Sequence, residues 1–118
     1  MTQVTLKTPE ALADAMVAEP DSITAVDMIL EHIDEWFTRG QFGQCRKLLR
    51  LLMDEHKDFC RETVDLPLST AVYASWATEE EVPEVSEYIE FLRRVWLESG
   101  LPEDRVGRLL SGLGPRKE

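Results

Sequence analysis

The chain has 118 residues and a mass of 13.5 kDa, the size of a single domain. Hydrophobic residues make up 43% of it and charged residues 31%, a balance that excludes intrinsic disorder. The formal net charge is −10, and a surface of this sign opposes contact with nucleic-acid phosphates. We therefore expect a folded, acidic domain that does not bind nucleic acid directly.

The first two helices are predicted from their start signals and their apolar spacing. Thr8-Pro9-Glu10 is typical of a helix N-terminus, and the helix that begins there ends before Pro20. A second helix is predicted over about 22–39, because apolar residues recur there at steps of three and four. Its buried face is predicted to consist of Ile23, Val26, Leu30, Ile33 and Phe37.

A third helix follows over about 41–56, and a continuation as far as Arg61 is left open because Phe59 keeps the apolar period. The link at Gly40 is so short that the second and third helices must form an antiparallel hairpin. The segment 68–77 then contains no charged residue. A helix that is apolar or small on every side is surrounded by others, so we predict a central helix over about 67–77.

Two more helices are predicted in the last third of the chain. One begins after Pro83 and ends at Gly100, and the other begins at Pro102 and ends near Ser111. The sequence therefore predicts an all-α fold, a compact bundle of five to six helices that forms one domain over 1–118. Residues 1–7 and 114–118 are expected to be frayed.

The cysteine content and the termini predict a cytoplasmic protein. Cys45 and Cys60 are too few for a disulfide scaffold of this length. The first residues lack the basic start and apolar run of a signal peptide, and no apolar stretch approaches the ~20 residues of a membrane span. We expect a reducing compartment and no membrane contact.

Motifs of known catalytic sites are missing, which predicts a protein that is not an enzyme. There is no HExxH, no GxGxxG, no P-loop and no GxSxG, so we expect no catalytic residues, no cofactor and no metal. His32 and His56 each lie among carboxylates, at the same end of the predicted hairpin. A metal-dependent enzyme that uses these two histidines is the weakest of the three functional hypotheses.

Adjacent bulky residues suggest where a partner binds. In Trp36-Phe37 and Trp96-Leu97 the two side chains point about 100° apart on a helix, so one of each pair is expected at the surface unless the helix buries a wide face. Exposed tryptophans are typical anchors of protein interfaces. Trp36 and Trp96 are therefore the predicted aromatic anchors.

Charge is unevenly distributed along the predicted hairpin. Residues 21–40 carry a net charge of −4, and residues 41–60 carry +1. The acidic residues proposed to contact a partner are Asp27, Glu31, Asp34 and Glu35. Arg46, Lys47 and Arg50 are expected either to pair with the second helix across the hairpin or to contact a partner themselves.

Two main hypotheses follow, and both involve another protein. The first is a protein–protein interaction domain, such as an adaptor, an assembly chaperone or a regulatory subunit, that uses exposed aromatics on an acidic surface. The alternative is an acidic inhibitor or immunity-type decoy that blocks the basic groove of a nuclease, toxin or nucleic-acid-binding protein, with the Glu79–Glu81 run as a second acidic candidate. A homodimer through the same aromatic faces is left open, and solubility alone also explains an acidic composition.

Overall fold

Seven helices account for most of residues 8–116, the part of the chain that the computed structural model describes. In chain order they are α1 (Pro9–Ala18), α2 (Ser22–Thr38), α3 (Phe42–Glu55), α4 (Lys57–Glu62), α5 (Asp65–Ala74), α6 (Glu84–Glu98) and α7 (Glu103–Leu110). One cluster of buried apolar side chains includes residues from all seven helices. The prediction of an all-α bundle is confirmed, although there are seven helices instead of five or six.

Helix α1 begins where its sequence predicts. The side-chain oxygen of Thr8 accepts a hydrogen bond from the Ala11 N–H at 3.2 Å, and Pro9 occupies the first helical position. The helix buries Leu12 and Met16 and ends two residues before Pro20. The chain then turns directly into α2.

The predicted antiparallel hairpin consists of α2 and α3, and both helices lie within one residue of the predicted bounds. Gly40 closes α2 with a φ of 71°, a conformation that favours glycine. The Gln41 N–H donates to the Trp36 carbonyl at 2.7 Å, and the Gly40 N–H donates to the Phe37 carbonyl at 3.1 Å. These two bonds form a Schellman motif, which ends the helix and reverses the chain.

The buried face of α2 differs from the predicted one. Its buried residues are Ala25, Ile29, Ile33 and Trp36, so only Ile33 is shared with the predicted stripe. Ile23 is 74% exposed. The face is rotated by about one residue position because α2 packs more extensively against α5 than against its hairpin partner α3.

The additional helix, α4, results from a break at His56. This residue has a φ of −126° and a ψ of 38°, outside the helical region, so α3 does not continue to Arg61. Helix α4 restarts at Lys57, and the Cys60 N–H donates to the His56 carbonyl at 3.1 Å. The break brings Cys60 into the core.

The predicted central helix is α5, which packs against both α2 and α6. It begins two residues earlier than expected, because Pro67 sits in the first turn, where a missing N–H costs no intrahelical hydrogen bond. It also ends three residues earlier, at Ala74. Trp76 therefore lies in the turn that follows the helix.

The C-terminal segment is tied to the rest of the chain as far as residue 116. The Arg116 N–H donates to the Ala77 carbonyl at 2.8 Å, and Thr78 forms an isolated parallel bridge with Arg116. The expectation of fraying stays a prediction for residues 114–116, where Arg116 makes this backbone bond to Ala77. Its remaining parts, 1–7 and 117–118, lie outside the described residues.

Candidate functional site

The predicted acidic residues lie together on the outer face of α2. Asp27, Glu31, Asp34 and Glu35 are all exposed, and their spacing of three and four residues places them on one side of the helix. This side is opposite the buried face. We call the four carboxylates the α2 acidic face.

The α2 acidic face has no charge partner in the described part of the chain. The ion pairs found between residues 8 and 116 involve none of these four carboxylates. Like charges at neighbouring helical positions repel one another. An unpaired acidic face therefore favours a positively charged surface opposite it.

Ile23 lies at the N-terminal end of the same side of the helix. It is four residues before Asp27, and it is the most exposed large apolar side chain between residues 8 and 116. A single exposed isoleucine is ordinary on a protein surface. Next to an unpaired acidic face, however, it adds an apolar contact to a surface that is otherwise electrostatic.

The basic residues of α3 do not neutralise α2, contrary to one of the two expectations for them. They pair with α1 and α6 instead: Arg46 with Glu84 of α6 at 2.9 Å, Lys47 with Glu10 of α1 at 2.6 Å, and Arg50 with Glu87 of α6 at 2.7 Å. The Arg50 guanidinium makes a second bond to Glu87 at 3.0 Å. Hydrogen bonding to Arg50 lowers the pKa of the Glu87 carboxyl.

The two predicted aromatic anchors, Trp36 and Trp96, are buried, so neither has the exposure that the anchor hypothesis requires. Trp36 is 2% exposed and Trp96 is 0% exposed. The Trp96 indole N–H donates to the Cys60 carbonyl at 2.8 Å, which satisfies its one polar group inside the core. Trp36 packs edge-to-face against His32, with ring centroids 6.0 Å apart. On α2 the rotated face buries Trp36 and leaves Phe37 partly buried, and on α6 the exposed member of the pair is Leu97, at 39%.

The exposed tryptophan is the third one, which sequence reasoning placed inside the central helix. Trp76 is 43% exposed, and its ring packs edge-to-face against Tyr73 at 5.1 Å. The uncharged segment 68–77 gives no sign that the helix ends at Ala74 and leaves Trp76 in a turn. Trp76 is exposed because it follows the end of the helix, which the composition of the segment does not reveal.

The Glu79–Glu81 run is less suited to binding than the α2 acidic face. Glu79 and Glu80 are exposed, but Glu81 is half-buried. The Thr78 N–H donates to the Glu81 carboxylate at 2.9 Å, and the Glu81 N–H donates to the Thr78 hydroxyl at 3.2 Å. This reciprocal pair has the bonding pattern of a capping box, here across a turn before α6, and it gives Glu81 a structural role.

The two histidines have separate surroundings. The His32 Nδ1 atom lies 2.7 Å from the Met28 carbonyl oxygen, and the His56 Nε2 atom lies 3.9 Å from a carboxylate oxygen of Asp14. No group of three or more His, Cys, Asp or Glu side chains within residues 8–116 is arranged to hold a metal ion. The geometry does not assemble the carboxylate–imidazole site that was the weakest hypothesis.

Both cysteines are free and buried. Burial raises the pKa of the Cys45 thiol to about 12, with a further contribution from the Glu84 charge, and burial raises the pKa of the Cys60 thiol to about 12. A thiol is nucleophilic as its thiolate. Both side chains are therefore protonated, core-filling groups at neutral pH.

Comparison with known proteins gives the α2 acidic face no precedent. No family model, curated protein or solved structure matches the chain significantly. Across the described helices, none has both the length and the apolar composition needed to cross a membrane. What the protein does has to follow from its own residues and their geometry.

Proposed function

We propose that this protein binds another protein through the α2 acidic face, and that the contact surface of that partner is basic. The observation that carries the proposal is the lack of any ion pair for Asp27, Glu31, Asp34 and Glu35 within residues 8–116. A patch of one sign steers association with a patch of the other sign and disfavours partners of like charge. Ile23 adds apolar area at one end of the patch.

This surface favours the acidic decoy over an adaptor anchored by aromatics, because the two tryptophans offered as anchors are in the core. A decoy needs carboxylates that are exposed and contiguous, and α2 supplies four of them on one helical side. Its partner is the basic groove of a nuclease, a toxin or a nucleic-acid-binding protein. In that groove the carboxylates take the place of phosphates.

The proposed role is not enzymatic, and the proposed compartment is a reducing cytoplasm. The proposed compartment is supported by two free cysteines in a chain without disulfides over its described residues. Because burial raises the pKa of both thiols to about 12, we do not propose either cysteine as a nucleophile. Neither point is needed for the binding proposal itself.

Affinity capture from a nuclease-treated lysate tests the proposal. The full chain is compared with a variant that neutralises the α2 acidic face by Asp27→Asn, Glu31→Gln, Asp34→Asn and Glu35→Gln. The control variant removes the same charge elsewhere, at four exposed carboxylates that make no ion pair with another described residue: Glu55→Gln, Glu80→Gln, Glu98→Gln and Glu103→Gln.

We expect one stoichiometric basic protein on the wild-type chain and on the control variant, removed by a high-salt wash. The α2 variant should capture little of it. A partner that is retained equally by both variants, or that survives high salt, would contradict the proposal.

A further inference from the structure

A groove lies where the α1–α2 turn meets the link between α4 and α5, with a volume of about 680 Å³. Its apolar lining consists of the buried Leu66, the half-buried Phe59 and Val64, and the exposed Val17 and Pro20. We call it the turn groove. Its volume falls within the range of ligand-binding pockets, which is about 300–1,000 Å³.

The polar lining of the turn groove is acidic. It includes four carboxylates, of which three are exposed and Glu19 is half-buried, and no Lys, Arg or His: Glu19, Asp58, Glu62 and Asp65. The Glu19 carboxylate accepts a hydrogen bond from the Asp21 N–H at 3.1 Å, and Asp58 pairs with Arg61. Glu62 and Asp65 make no ion pair with the other residues described.

The turn groove reaches the N-terminus of α2, the helix that carries the surface already proposed to bind. Ser22, the first residue of α2, lines the groove, and the next residue is the exposed Ile23 that begins the outer side of α2. A partner lying along α2 would therefore reach the groove at the N-terminal end of the helix. The positive charge proposed for the partner would be complementary to both surfaces, since both are acidic.

We propose that the turn groove holds one large apolar side chain from a basic segment of the partner, with the flanking lysines or arginines facing Glu62 and Asp65. Apolar lining with an acidic edge matches a cationic segment that carries an apolar anchor, because each part is complementary in charge or polarity. The proposal rests on the proposed function, since it assigns a second contact to the same basic partner. It adds an anchor that the α2 acidic face alone lacks.

Titration of the full-length, ¹⁵N-labelled chain with short peptides tests the assignment. The probe is acetyl-Lys-Lys-Leu-Lys-Lys-amide, and the matched peptide has glycine in place of leucine. We expect amide shifts at Val17, Thr63 and Val64, with the leucine peptide binding about tenfold tighter than the glycine peptide, because one buried leucine side chain is worth at least that much. Glu62→Lys should weaken the leucine peptide, whereas Glu55→Lys on α3, outside the groove, should not.

Several results would overturn the proposal: equal binding of both peptides, the same groove shifts with the tetra-amine spermine, or no groove shifts with millimolar leucine peptide. The two proposals fail separately in this experiment. Shifts confined to Asp27, Glu31 and their neighbours would leave the proposed function standing and remove the groove. Groove shifts that persist when the α2 acidic face is neutralised, together with a failed capture experiment, would leave the groove standing and remove the proposed function.

Discussion

Trp96 illustrates at the residue scale how burial and hydrogen bonding together determine what a tryptophan does. Its ring is fully buried, and its N–H bonds to the Cys60 carbonyl, which joins α6 to α4. The sequence identified Trp36 and Trp96 as distinctive, because each has a bulky neighbour. It could not decide which way they point, since that depends on which helices cover α2 and α6 and how wide a face each buries.

The Trp96 bond leads to a stability prediction. Trp96→Phe should lower the free energy of unfolding by about 1–3 kcal/mol, because it leaves the buried Cys60 carbonyl without its donor. Trp76→Phe, at the exposed tryptophan, should change it by less than about 0.5 kcal/mol. Urea denaturation followed by circular dichroism measures both. Equal effects would mean that the Cys60 bond does not form.

The buried thiols lead to a prediction about alkaline pH. The pKa of each thiol is raised from 9.0 to about 12 in the folded chain, so above pH 9 the unfolded state loses protons that the folded state keeps. The stability is complete below pH 9 and decreases toward pH 12, by about 1 kcal/mol per pH unit for each thiol. Denaturation at pH 8, 9 and 10 should therefore show a steeper decrease for the wild-type chain than for Cys45→Ala or Cys60→Ala. Identical slopes would contradict the assigned burial.

At the scale of the element, local sequence determines the bounds of α2, whereas packing determines the orientation of its buried face. Its bounds follow from a start near Asp21-Ser22 and a glycine stop at Gly40, and these are local signals. The orientation of its buried face depends on α5, which is more than 25 residues away in sequence. The break at His56 is equally hidden, because Phe59 continues the apolar period across it.

The rotated face of α2 is testable with two isoleucines. Ile29→Ala should cost about 2–5 kcal/mol of stability, because it removes a fully buried side chain and leaves a cavity. Ile23→Ala should cost less than about 0.5 kcal/mol, although the predicted stripe placed Ile23 in the core. Thermal unfolding of the two variants distinguishes the orientations. A large loss of stability in Ile23→Ala would contradict this orientation and support the one predicted from sequence.

At the scale of the whole molecule, the charge of −10 is distributed unevenly. The basic residues of α3 are matched by carboxylates of α1 and α6, while α2 faces outward with four carboxylates that have no ion pair within residues 8–116. Composition predicted the sign of the surface, and the net charge of −4 over residues 21–40 predicted that α2 is acidic. The turn groove could not be predicted, because its lining comes from two separate parts of the chain.

The central claim is that the α2 acidic face provides the electrostatic part of partner binding. The most direct measurement is the dissociation constant of the captured partner at several salt concentrations, for the wild-type chain, the α2 variant and the control variant. Exposed charges are screened over about 8 Å at physiological ionic strength, so binding by the wild-type chain and the control variant should weaken steeply with salt. The α2 variant should bind weakly and show a much smaller salt dependence. The same salt dependence for both variants would contradict the claim.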